Sequence, residues 1–258
     1  QDLEGGYIRR IAFVVPAGAT WSLPLYELAL MTADRVWDSG LSVELTLVTS
    51  EPSPLAIFGP AASRSVSEML AAAGIDVRAA TDTTLLEAGV AVLGSSGERI
   101  TVDRIVTLPV LDGPAIEGLP ADAGGFLAVD RHGRVTGATD VYAAGDATDF
   151  AVKQGGFACQ QADAAAEAIA AAAGAEIDPA PFEPVLRGVL LTEHESRFMR
   201  RSARSDADGV DDVDVPALWW PPTKIAGREL SKHLAEVPVH PQPGAAAGVV
   251  VDVLVSTG

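Results

Sequence analysis

Ile11-Ala12-Phe13-Val14-Val15 followed by Pro16-Ala17-Gly18 is a short, wholly apolar, β-branched run closed by turn residues. Such a run suits a strand buried on both faces of a parallel sheet, because an alternating pattern is needed only where one face meets water. From Leu23 to Trp37 the positions Leu25, Leu28, Ala29, Thr32 and Val36 recur at three and four residues, which predicts an amphipathic helix stopping before Ser39-Gly40. Ser42 to Thr49 reads as a second strand. Pro60 to Ala73 reads as a second helix with Gly74 as its stop, and Ile75 to Ala79 as a third strand. Strand, helix, strand, helix, strand with short connections specifies a doubly wound parallel sheet with right-handed crossovers.

Outward from that unit, Val90 to Leu93 and Arg99 to Val102 flank Gly94-Ser95-Ser96-Gly97 and predict a hairpin, and Arg104 to Leu108 a further buried strand. Residues 109 to 137 are rich in Gly, Pro and Asp and predict a surface-running segment with one short strand near Phe126 to Val129. Val141-Tyr142-Ala143-Ala144 is expected to be a buried strand broken by Gly145-Asp146-Ala147. Gly155 to Ala173, dense in Ala, is expected to be a long helix ending at Gly174. The Asp-rich stretch Ser202 to Asp214 is expected to be a mobile loop, and Val249 to Val255 a terminal strand.

Composition narrows the function. Of 258 residues 48% are hydrophobic, ample for a core, and the formal charge is −17 with 35 acidic against 18 basic residues. That balance argues against nucleic acid, whose phosphates are met chiefly by Lys and Arg. The single cysteine, Cys159, rules out an intramolecular disulfide and a Cys-rich zinc site. No run is long and apolar enough for a membrane span and no signal peptide is evident, so a cytoplasmic location is expected, with peripheral membrane contact left open. Gly5 to Arg10 leads almost directly into the first strand, as if a preceding domain had been cut away.

Two places offer ligand chemistry. A dinucleotide pyrophosphate docks on a G-x-G-x-x-G turn at a helix N-terminus, where amide donors and the helix dipole face the phosphates. The turn here keeps only Gly18, while Trp21 and Pro24 bring bulk and a missing donor. NAD(P) binding stays open beside a scaffold in which Gly18 merely makes the turn. Glu51, near the end of the second strand, sits where a ribose hydroxyl would be read, or is a solvated surface acid. At the second place a strand delivers Asp146 just past its end between Gly145 and Ala147, and Gly155-Gly156 opens the long helix eight residues on. An ionised carboxylate accepts from sugar-like hydroxyls, and the positive helix end favours the electron-rich N1-O2 edge of a flavin.

The block Ala138 to Ala173, with Val141-Tyr142-Ala143-Ala144-Gly145-Asp146-Ala147-Thr148 and Lys153-Gln154-Gly155-Gly156-Phe157-Ala158 followed by Gln160-Gln161-Ala162-Asp163, resembles the pyridine nucleotide-disulfide oxidoreductase superfamily. It is most similar to the type II NADH dehydrogenase and sulfide:quinone reductase branch. Leu23 to Ala29, Pro54 to Gly59 and Trp219 to Ile225 look like the same branch. The resemblance implies an α/β, Rossmann-like doubly wound NAD(P)-binding-like domain at 8–104, the C-terminal part of a FAD-binding domain at 105–175, and a C-terminal segment at 176–258. It implies that Asp146, with Gly145 and Ala147, holds the flavin ribityl chain or adjoining phosphate. Gly155, Gly156 and Phe157 would offer amides to the flavin pyrimidine edge, with Lys153 and Gln154 adding charge and hydrogen bonding. The ordinary alternatives are an exposed Lys153, a first-turn Gln154 and a turn-forming Asp146.

The parent function implied is electron transfer from a reduced donor, NAD(P)H among the candidates, to an acceptor such as a quinone, with FAD doing the redox chemistry. The family's N-terminal ADP-binding motif is absent from this sequence, so FAD is expected to bind weakly or not at all to this chain alone. A separate N-terminal FAD-domain portion or a homo-oligomer would complete it; a non-catalytic scaffold is the competing class. Sulfide:quinone reductases use cysteines facing the flavin, and Cys159 alone cannot supply a disulfide mechanism. His132, His194, His233 and His240 show no metal-ligand spacing, Glu193 and Glu195 beside His194 identify no substrate proton, and Trp219 and Trp220 either border a quinone or pack the C-terminal segment.

Overall fold

The structure, a computed structural model, describes residues 5–87, 90–94, 96–192, 196–202, 211–220 and 222–236. Strand β1 (Arg10–Val15) is central, with Ala12, Phe13 and Val14 at most 1% exposed. It pairs in parallel with β2 (Glu44–Thr49) on one side and, far along the chain, with β7 (Arg104–Thr107) on the other; β3 (Asp76–Arg78) extends the sheet beyond β2. Parallel neighbours need crossovers, and α1 (Leu23–Asp38) and α2 (Pro60–Ala72) supply them, each opening on a proline that costs no helix hydrogen bond.

The alternation of β1 divides two cores. Ile11, Phe13 and Val15 face the main core with Leu23, Tyr26, Phe58 and Leu70; Ala12 and Val14 face Val48 and Leu93. That second face is covered by a meander of β4 (Thr83–Glu87), β5 (Val90–Leu93) and β6 (Glu98–Thr101), which contains the expected hairpin and one further strand.

Beyond β7 the chain runs with little regular structure to α3 (Gly155–Ala172). Residues 141–144 correct the expectation of a buried strand. They are only partly covered, and their ladder is the single bridge from Tyr142 to Arg134, because among the described residues nothing pairs with their other edge. After α3, β8 (Val185–Leu190), β9 (Arg197–Ser202) and β10 (Asp211–Asp214) form an antiparallel sheet in the order β10-β9-β8. The expected loop at 202–214 is therefore corrected at its end: Asp212 pairs with Arg200 at 2.7 Å while Val213 packs on the main core, so the acidic run alternates like a strand. Residues 203–210, Glu193-His194-Glu195, His240 and the expected strand 249–255 lie outside the described residues.

The C-terminal sheet sits tightly on the first half. Leu186, Leu190 and Met199 belong to the main core, and at Gly188 a Cβ would come within 2.4 Å of Phe58 Cζ. The free edge of β8 is held by α3 side chains: Gln160 takes the Val185 N–H and gives to its carbonyl, both at 3.0 Å, and Gln154 Nε2 gives to the Arg187 carbonyl at 3.2 Å. Helix α4 (Arg228–Glu236) then returns to α3, where Arg228 meets Glu167 at 2.6 Å.

Candidate functional site

Gly145, Asp146 and Ala147 form a single 3₁₀ turn in which Gly145 has φ +73°, a conformation that favours glycine. A Cβ there would stand 3.1 Å from Ala158 Cβ, so the turn lies directly on the first turn of α3. Gly145 N–H donates to Gln161 Oε1 at 2.7 Å, and Thr148 donates to the Gly145 carbonyl through its N–H and its hydroxyl. Gln161, 5% exposed, is thus a bolt between turn and helix. Its role was not read from the sequence, although it stands inside the quoted motif. Asp146 is exposed, and its carboxylate accepts no hydrogen bond among the described residues.

Lys153 is not the exposed residue of its ordinary reading. It is 7% exposed, its Nζ donates to the Thr148 carbonyl, and it lies 3.9 Å from the centre of the Phe126 ring. Burial pulls its pKa down, against the opposing pull of Asp146, Asp149 and Asp122. It supports the turn from beneath. A buried ammonium would be untenable without the carbonyl, the ring face and those carboxylates.

Gln154 is the N-cap of α3, and its Oε1 accepts from the N–H groups of Gly156 and Phe157. A Cβ on Gly156 would lie 2.7 Å from that oxygen, so the second glycine makes room for the cap. The first makes room for a neighbour, since a Cβ on Gly155 would meet Ile225 at 3.3 Å. Phe157 is buried in an edge-to-face trio with Phe150 and Phe182, at 5.1 and 6.1 Å. Of the amides at this helix start, the Gly155 N–H alone has no acceptor among the described residues.

The structure thus brings together Gly145, Asp146, Ala147, Lys153, Gln154, Gly155, Gly156 and Phe157 around one helix end. Gly18 is not joined to them. It has φ +82° in a turn closed by Ala19 N–H to the Pro16 carbonyl, and a Cβ there would meet only Val110, at 3.9 Å. Helix α1 starts several residues later, so the turn does not feed directly into a helix N-terminus. Glu51 is not a free surface acid: Tyr26 Oη donates to it at 2.6 Å, and Ser22 and Thr49 hydroxyls at 3.1 Å each. Burial, with Glu51 second, lifts the Tyr26 phenol far above its ordinary value.

Other residues missed by the sequence are Glu27 and Lys224. The Glu27 side chain, buried on α1, is held by Lys224 Nζ at 2.5 Å and by the Leu191 N–H at 2.8 Å, which seats the Trp219 to Ile225 segment beside α1 while Ile225 touches Gly155. Trp219 packs edge-on against Phe198 at 5.1 Å. Cys159 is half-buried against Gly227, and burial followed by Asp163 raises its thiol pKa, the opposite of an activated nucleophile. No group of three metal-ligating side chains is found among the described residues, and no described helix is long and apolar enough to cross a membrane.

Solved structures similar to this chain include the sulfide:quinone oxidoreductase of the hyperthermophilic bacterium Aquifex aeolicus, 15% identical with a TM-score of 0.66 over 80% of this chain and 54% of that one. LpdA of Mycobacterium tuberculosis is 18% identical with a TM-score of 0.55, over 74% and 40% respectively. A chain in the mitochondrial ATP synthase of Tetrahymena thermophila is 14% identical with a TM-score of 0.57, over 78% and 52%. At these identities the likeness shows the fold, and this chain spans about half the length or less of each. No curated protein sequence matches. A family model described as pyridine nucleotide-disulphide oxidoreductase matches residues 27–172, more than half of the 258, and the chain belongs to that family.

Proposed function

We propose that the chain supplies the flavin-facing half of a FAD-dependent oxidoreductase, of the type II NADH dehydrogenase and sulfide:quinone reductase kind, passing electrons from a reduced donor to an acceptor such as a quinone. One observation carries the reading: a free carboxylate, Asp146, and a free amide, Gly155 N–H, flank the same end of α3, with the Asp146 turn fixed to that helix by Gln161. An acceptor for sugar-like hydroxyls beside a donor at a positive helix end matches the two chemistries of a flavin's ribityl chain and pyrimidine edge. The fit is that of a half-site. Gly156 and Phe157 N–H already give to Gln154 Oε1, so Gly155 N–H is the amide that would be offered to a ring edge, and Gln154 would have to turn away to offer the others.

FAD held there would supply the redox chemistry itself. The chain's part is to bind and orient it. Asp146 takes a hydroxyl; Lys153, through the Thr148 carbonyl, holds the turn that presents Asp146; Phe157 with Phe150 and Phe182 makes the helix start rigid. In this reading residues 8–104 are the NAD(P)-binding-like domain, 105–175 the FAD part and 176–258 the C-terminal segment, in a cytoplasmic protein that touches membranes at most peripherally. A separate N-terminal FAD-domain portion or a second copy would complete the cofactor site. Glu51, engaged by Ser22, Tyr26 and Thr49, would have to exchange partners before reading a ribose, so NAD(P)H binding is the weaker half of the proposal.

The rival reading is a scaffold that keeps the fold without the flavin, and the capping of α3 by Gln154 favours it. The visible absorption spectrum separates the two. Flavin bands on the chain with added FAD, lost in Asp146→Ala, support the oxidoreductase reading. A colourless protein under the same conditions, with and without an added N-terminal FAD portion, supports the scaffold.

A further inference from the structure

Ala158 and Gln161, which carry the Gly145 turn, and Gln160 and Asp163 lie on opposite sides of a helix with 3.6 residues per turn. The second side opens into a cavity of about 670 Å³ walled by Gln160, Asp163, Phe182, Arg187, Trp219 and Trp220. That volume suits a small organic ligand.

Among the described residues the cations on its wall are matched with one exception, and the Asp163 carboxylate is met by a backbone amide alone. Asp163 accepts the Arg228 N–H at 2.8 Å, Arg228 meets Glu167 at 2.6 Å, Lys232 meets Glu229 at 3.0 Å, and Glu183 meets Arg131 at 3.5 Å. Arg187 has no carboxylate: its Nε is shut off from solvent and has no acceptor among the described residues. Its cross-strand neighbour makes matters worse, because Arg200 is also a cation and is committed to Asp212 at 2.7 Å. Burial and Arg200 both pull the Arg187 pKa down. Arg187 is half-buried and lines the cavity; its shut-off Nε is out of a ligand's reach, but a guanidinium with no acid beside it favours an anionic oxygen on the side it turns to the cavity.

The aromatic wall says what should carry that oxygen. Trp220 is 87% exposed, Trp219 is held edge-on to Phe198, and Phe182 lines the same cavity. Aromatic side chains around one cation that has no acid suit a planar ring bearing a negative charge. We propose that this cavity is a binding site for an aromatic carboxylate, its carboxylate on Arg187 and its ring between the tryptophans and Phe182. The site is built within this chain and does not depend on the flavin reading.

Isothermal titration of the chain with 2-naphthoate and with the neutral 2-naphthamide tests it, tryptophan fluorescence reporting the location. Naphthoate should bind at least tenfold more tightly than the amide. Arg187→Gln should bring the two within about twofold, and Trp220→Ala should weaken both. Equal affinities, a preference that survives Arg187→Gln, or no binding of either ligand overturns the proposal. Should circular dichroism show Arg187→Gln unfolded, the exposed Trp220 decides: naphthoate affinity unchanged in Trp220→Ala also overturns it. The titrations are made without FAD, so the two proposals fail separately.

Discussion

Glu27 of α1 and Lys224 of the C-terminal segment, 197 positions apart, meet at 2.5 Å and tie together three stretches of sequence: the start of the first helix, the Trp219 to Ile225 run, and, through Ile225, the glycine that opens α3. Glu27 is 7% exposed and also takes the Leu191 N–H, so its charge is committed to the fold.

Lys224→Ala leaves that carboxylate with the Leu191 amide alone. Because the lysine side chain is 45% exposed, solvent screens part of the loss, and the expected cost is about 1 kcal/mol in a urea titration. Glu27→Ala should cost more, since it strands the Leu191 N–H as well. Equal midpoints for wild type and both variants would contradict the clasp.

Gly145→Ala forces a side chain into φ +73° and 3.1 Å from Ala158 Cβ. It should lower stability by about 1–3 kcal/mol and detach the turn from Gln161. The amide exchange of Gly145 measures the second effect: protected in wild type, unprotected in the variant.

Tyr26 gives an alkaline signature. Its phenol keeps its proton in the folded state far above the ordinary 10.0, so the stability it contributes is complete below pH 10 and is lost as the unfolded chain ionises above it. Tyr26→Phe removes that fall, and at neutral pH costs about 1–2 kcal/mol for the donor lost from Glu51. Denaturant midpoints from pH 8 upward should converge, wild type on variant, as pH rises past 10. Curves that stay parallel would show an unperturbed phenol.

Lys153 acts with the opposite sign. Its folded pKa is held below the ordinary 10.5, so just below that value the unfolded chain carries more protons and stability rises with pH. Against Lys153→Met, the wild type should therefore gain as pH approaches 10.5 from below. A difference independent of pH would mean that the ammonium is not buried as described.

Much of the fold was legible because its elements are periodic. β1, β2, α1, α2 and α3 fall within a residue or two of expectation, since unbroken apolar runs, helical spacing and glycine stops are local signals. β10 was missed because Asp-rich composition outvoted the alternation that puts Val213 inward and Asp212 on Arg200. The stretch 141–144 failed the other way: apolar composition suggested burial, but burial depends on neighbours that a linear reading does not supply. At the site, Gly145 and the Gly155-Gly156 pair were visible as glycines, while their partners Gln161, Ile225 and the Gln154 cap are contacts between distant or facing side chains. Lys153 looked exposed because charge is usually solvated; only the Phe126 ring and the Thr148 carbonyl, brought in by the fold, make its burial tolerable.

The most direct test of the flavin half-site is a proton-nitrogen correlation spectrum of the isotope-labelled chain titrated with FAD. Shifts should be confined to the amides of Asp146, Ala147 and Gly155, with Gly156 and Phe157 following as Gln154 gives way, and should be lost in Asp146→Ala. Amides 145–157 that stay still while FAD is raised to millimolar concentration, both without and with an added N-terminal FAD portion, or shifts centred on Gly18 instead, would overturn the half-site.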